Sequence, residues 1–149
     1  PFQAAVNGVA ATWADFAAAS GIARYDVALA STAGGIAGDG DILPFGAVRG
    51  ATQTSMFIQH ALQDRASVYV GVRATSRAGT STVAWSGRIL VDAKPPEGGA
   101  VYDMNENGSW DDDVEYFGNA TRITASWDDF RPGKSGISDF LVGLGTFSG

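Results

Sequence analysis

The sequence predicts an all-β chain: an antiparallel β-sandwich in tandem, with the second copy incomplete. Three observations carry this expectation. A stretch near the start recurs near the end, short alternating apolar segments follow one another at even spacing, and nothing of helical period lies between them.

The recurrence is "VAATWADFAAASGIARYDVAL" (9 to 29) against "ITASWDDFRPGKSGISDFLVGL" (123 to 144). Trp13 and Phe16 correspond to Trp127 and Phe130, each 114 positions on. After one inserted residue, Ser20, Gly21 and Ile22 correspond to Ser135, Gly136 and Ile137 at an offset of 115, and Tyr25, Val27 and Leu29 meet Phe140, Val142 and Leu144 at the same offset. Nine of the twenty-one residues from Val9 to Leu29 are identical in the second copy, more than chance gives at a shared register. One full module of about 115 residues is therefore followed by the opening part of another.

The strands follow in order. "VAATWADF" carries Val9, Ala11 and Trp13 on one face, and "ARYDVAL" carries Tyr25, Val27 and Leu29. "TSMFIQ" (54 to 59) and "SVYVGVRATS" (67 to 76) continue the pattern, the latter with the β-branched and aromatic residues that suit a pleated surface. "STVAWSGRILVD" (81 to 92) supplies a last strand or pair of strands. Turn signals separate them at "SG" (20 to 21), "AGGIAGDGD" (33 to 41), "QDRA" (63 to 66), "RAG" (77 to 79) and "KPP" (94 to 96). Only "WADFAAASGIA" has helical composition, and Gly21 interrupts it.

The stretch "HALQDRASVYVGVRATSRAGTSTVAWSGRILVDAKPP" resembles the second half of a fibronectin type III-like or immunoglobulin-like module. Leu62, Tyr69, Val72, Ala74, Gly79 and Pro95 occupy that pattern's places, and Trp13 occupies that of its core tryptophan. The resemblance covers roughly residues 6 to 96, and 97 to 149 for the first half only. It implies a sandwich at residues 1–92, a Pro/Gly linker at 93–99 and the first half of a second copy at 100–149. Prolines stiffen such a linker and cannot enter a central strand. The chain begins with Pro1 rather than Met, as a processed product or a window of a longer chain does, and the second copy stops before its later strands. Its half-sandwich is expected to have an uncovered apolar face and bare edges, completed by chain continuation or by a neighbouring subunit.

Composition narrows the partners. With 45% apolar and 17% charged residues the chain belongs with folding sequences, and its surface must rely on Ser, Thr, Gly and Ala. Ten basic residues against sixteen acidic give a net charge of −6, which repels phosphate backbones and anionic membrane surfaces. No apolar run approaches the roughly 18 residues of a membrane-spanning helix. The absence of cysteine excludes disulfides, thiolate metal sites and cysteine nucleophiles.

The richest candidate site is "DMNENGSWDDDVE" (103 to 115). Oxygen-bearing side chains at alternate positions with a central glycine match the start of a calcium loop, but the twelfth position is Val114, with Glu115 one place late. A helix-loop-helix site is thereby disfavoured. Two readings stay open: a looser Ca²⁺ loop using Asp103, Asn105, Asp111, Asp113 and Glu115, and a solvated acidic turn. "NGS" and "NAT" make Asn107 and Asn119 acceptors for N-linked glycans in a secretory setting, and a glycosylated Asn107 is a poor calcium ligand.

Catalysis is not expected. Asp111, Asp112 and Asp113 are consecutive and imply no cleft across which paired carboxyls face each other. His60 is the sole histidine, with no nucleophile motif or second metal ligand beside it, and "AGGIAGDGD" lacks the lysine and following helix of a phosphate cradle. Trp13 and Trp127 read as equivalent core residues, Trp85 suits either core or surface, and Trp110 suits a contact with a neighbouring module or glycan. The expectation is a structural repeat module of a secreted or cell-surface protein, engaging its own neighbouring repeats. The alternative is an adhesive or carbohydrate-binding module of a larger adhesin or secreted enzyme.

Overall fold

A computed structural model describes residues 1–48, 50, 52–104 and 123–145. Among them the chain is all-β, without a helix, and its sheets do not close into a barrel. It divides into two compact units, Pro1–Lys94 and Pro95–Gly149.

In the first unit, β1 (Phe2–Gln3), β2 (Gly8–Thr12), β3 (Ile22–Ala30), β4 (Leu43–Ala47), β5 (Ser55–Gln59), β6 (Ser67–Ser76), β7 (Ser81–Trp85) and β8 (Ile89–Val91) form two sheets. The larger runs in the order β1-β8-β6-β3-β4, with β7 also on β6, and the smaller is the pair β2-β5. Every pairing is antiparallel except that of β1 with β8.

β3 and β6 make the centre because both alternate over their full length. Val27 faces Val72 and Leu29 faces Val70 across the ladder, so β-branched and branched side chains stack on one surface. Opposite lie Val9 of β2 and Ile58 of β5, and these join Trp13, Tyr25, Leu62, Val68 and Val91 in one core to which both sheets contribute. β7 and β8 pair in succession along the same side of β6. The residues between them leave the ladder, and Ser86 bridges the gap: its Oγ accepts from Val70 N at 2.9 Å and its N donates to Val70 O at 2.8 Å. β4 holds Pro44, which an edge strand tolerates because one side of its backbone needs no partner.

The outer surface of β3 is covered as well. Asp26, Ala28 and Ala30 are buried although they point away from the core set: the loop after β3 brings Gly40 against Ala28, and Arg24 and Arg73 close on Asp26. Asp41 Oδ1 and Oδ2 accept from Ser31 N and Ser31 Oγ at 2.8 and 2.6 Å, and Asp39 Oδ1 accepts from Gly40 N and Phe45 N at 2.8 and 3.0 Å. Gly40 is required there: a Cβ would run into the carbonyls of Leu29 and Leu43. The sequence marks this stretch as a turn signal, and its carboxylates tie it into a set of turns with an Ile36–Asp39 bridge.

In the second unit, β9 (Ala100–Met104) pairs antiparallel with β10 (Thr124–Asp128), and a bridge joins Glu97 to Arg131. Residues 137 to 145 form no strand, although they carry the same apolar alternation as β3.

Candidate functional site

The repeated segment builds the same local structure twice. Asp15 and Asp129, 114 apart, both adopt left-handed backbone, with φ of 63° and 55°, and Gly21 and Gly136 follow with φ of 76° and 83°. Aspartate tolerates that region better than most side chains and glycine enters it freely. These turns bring three rings together in each unit. Trp13 lies 5.6 Å from Tyr25 and Phe16 lies 5.8 Å from the same ring; Trp127 lies 5.6 Å from Phe140 and Phe130 lies 5.5 Å from it.

Burial separates the two clusters. In the first unit Tyr25, Val27 and Leu29 are 6%, 4% and 0% exposed, whereas Phe140, Val142 and Leu144 are 48%, 70% and 81% exposed. Trp13 is 8% exposed and Trp127 38%, so the expectation that both tryptophans are core residues is corrected for Trp127. The cause is the cover: β3 is hydrogen-bonded to β6 and faced by β2 and β5, and no strand among the described residues stands in those places around 137 to 145. What remains is an apolar pocket lined by Val101, Ala125, Trp127, Phe130, Phe140 and Val142.

A second open surface lies in the first unit. A groove of about 340 Å³ runs beside β2, walled by Ala10, Trp13, Val70, Val72, Trp85 and Ile89. Trp13, one of those walls, carries a buried indole Nε1 with no hydrogen-bond acceptor among the described residues. Sequence reasoning assigns Trp13 to the core without detecting this groove, since only the separation of β2 from β7 and β8 creates it.

The outer face of the larger sheet carries a polar and aromatic cluster that no motif announces. Asp26, 4% exposed, accepts at Oδ2 from Arg73 Nε at 3.2 Å and Arg24 Nε at 3.3 Å. The Arg73 guanidinium stacks 4.5 Å over the Phe45 ring, which lies 5.8 Å from Trp85. Trp85 is half-buried over Gly71, where a Cβ would approach its ring to 2.7 Å. Backbone N–H donors from Phe45 and Gly40 hold the Asp39 carboxyl below its ordinary value, and the Ser31 hydroxyl and N–H do the same for Asp41.

Of the proposed calcium ligands, Asn105, Asp111, Asp113 and Glu115 lie outside the described residues, as do Asn107, Asn119 and Trp110. Asp103 is half-buried in β9, paired with Ala125. Nearby, Asp128 pushes the Tyr102 phenol up through its charge. His60 stands just after β5, its N–H bonded to Asn7 O at 3.1 Å. No protein-family model, curated protein or solved structure matches the chain.

Proposed function

We propose that the chain is a non-catalytic structural repeat module of a secreted or cell-surface protein, and that modules of fibronectin type III-like sandwich type build a filament, coat or appendage by end-to-end association. The observation that carries this reading is the repeated three-ring motif: enclosed in one unit, bare in the other. A sequence that buries Val27 and Leu29 under neighbouring strands has the same chemistry at Val142 and Leu144, where a neighbouring repeat, in the same chain or another, supplies the cover. The strand order β1-β8-β6-β3-β4 against β2-β5 supports the sandwich assignment, since it sets two sheets about one core with an open edge on each. In this reading Asn107 and Asn119 carry N-linked glycans, and the 103-to-115 segment stiffens the junction, with Ca²⁺ as its ion if Asn107 is unmodified.

Glycopeptide mass spectrometry of native material, with negative-stain imaging of the same sample, tests it. Sugar on Asn119 or Asn107 in elongated particles supports the reading, and unmodified monomers overturn it. The second reading, an adhesive or glycan-binding module, draws on the Phe45–Trp85 pair with Arg73 on the sheet's outer face. Glycan-array binding that is lost in Trp85→Ala favours it.

A further inference from the structure

The open edge of β2 and the groove beside it form the surface with the most specific occupant. Trp13 N donates to Thr54 O at 2.9 Å and Asn7 O accepts from His60 N at 3.1 Å, which turns the peptide groups of the odd-numbered residues toward β5. Strand alternation then turns those of Gly8, Ala10 and Thr12 to the opposite edge. There the Gly8 carbonyl accepts from Gln3 Nε2 at 3.1 Å, while the peptide groups of Ala10 and Thr12 have no strand beside them among the described residues. An edge of this kind is a template for another strand.

The second unit indicates which strand. β10 carries the counterparts of Ala10 to Ala14, and its partner is β9, with Val101 opposite Trp127 and Tyr102 opposite Ser126. At the repeat offset of 114 the counterpart of β9 falls ahead of Pro1, and among the described residues β2 pairs with β5 alone. We propose that β2 accepts the Ala100–Met104 strand of a second copy of this module along its open edge, in the register β9 takes against β10. Val101 then sits opposite Trp13 over the apolar groove and Tyr102 opposite Thr12. The added backbone pairs with Ala10 and Thr12 and brings carbonyl acceptors to the wall that holds the Trp13 indole. This rests on the repeat reading above and gives it a specific contact.

The test is a synthetic peptide of residues 97 to 104, EGGAVYDM, added to the whole chain, with amide exchange followed residue by residue. At about ten times the peptide's Kd, protection of the Ala10 and Thr12 amides rises about tenfold, the Ala11 and Trp13 amides already bonded toward β5 change little, and a peptide carrying Val101→Asp has no effect. Unchanged exchange at Ala10 and Thr12 with peptide at millimolar concentration overturns the proposal, and so does protection confined to the second unit or equal protection from the Val101→Asp peptide. The two readings fail separately. Elongated native particles with no peptide effect remove the β2 contact alone, whereas peptide protection in a protein that is monomeric when isolated removes the filament and leaves the strand acceptor.

Discussion

Leu29 and Leu144 occupy one position of the repeat, so the same substitution at each measures what cover is worth. Leu29 is fully buried, at 0% exposure, among the core residues of both sheets. Truncation to Ala removes its transfer energy and leaves a cavity that strands anchored on both sides cannot close, a loss of about 2 to 5 kcal/mol. Leu144 is 81% exposed. Its truncation leaves no cavity and costs no more than about 0.5 kcal/mol in the isolated chain. Denaturant unfolding of each variant at low protein concentration reads the difference, and amide exchange in β6 reports the first unit separately. A loss above about 1 kcal/mol for Leu144→Ala in the monomer would refute the reasoning, because the face would then already be covered. In assembled material the ranking changes: Leu144→Ala should weaken association there while leaving the monomer intact.

Gly40→Ala should destabilise by about 1 to 3 kcal/mol, because its Cβ meets backbone carbonyls that cannot yield, whereas Gly46→Ala, with open space around its Cβ, should change stability by about 0.5 kcal/mol or less; thermal unfolding compares them. Asp39 and Asp41 have folded pKa values below those of the unfolded chain, so their contribution is fully present above the unfolded value of about 4 and is lost as pH falls through the folded values. Urea midpoints measured on acidification should fall less steeply in Asp39→Asn and Asp41→Asn than in the parent. Arg73→Met removes a charge-assisted hydrogen bond to the buried Asp26 and the stack on Phe45, at a cost of about 1.5 to 3 kcal/mol. Arg24→Met, whose side chain is 58% exposed, should cost less in the same denaturant assay.

Alternation located strands that have partners in the first unit, but not residues 137 to 145, which alternate like β3 and form no strand. β6 spans Ser67–Ser76, the residues of "SVYVGVRATS", and β3 and β5 fall within or close to their expected stretches. β4 escaped notice because Pro44 and Gly46 depress its strand propensity, and its place at a sheet edge compensates. β9 follows two glycines and spans only five residues, too few for a periodic signal. β1 is two residues long and exists through its parallel contact with β8. The Asp26–Arg73–Phe45–Trp85 cluster joins residues from four strands, a proximity that no local pattern encodes.

By itself, the sequence determined the β class, the repeat and the turn glycines at Gly21 and Gly136; the structure adds the rest of the local device that both copies share, the left-handed aspartate and the three rings in contact. Those are short-range matters of side-chain alternation and backbone sterics. The tertiary structure alone decided which copy of that device is enclosed, which strand edge lies open and where the groove runs. Burial is a property of what lies opposite a residue, and for Val27 and Leu29 the strands opposite come from distant parts of the chain. For Val142 and Leu144 no such strand stands among the described residues, and identical side chains in the same motif therefore face solvent.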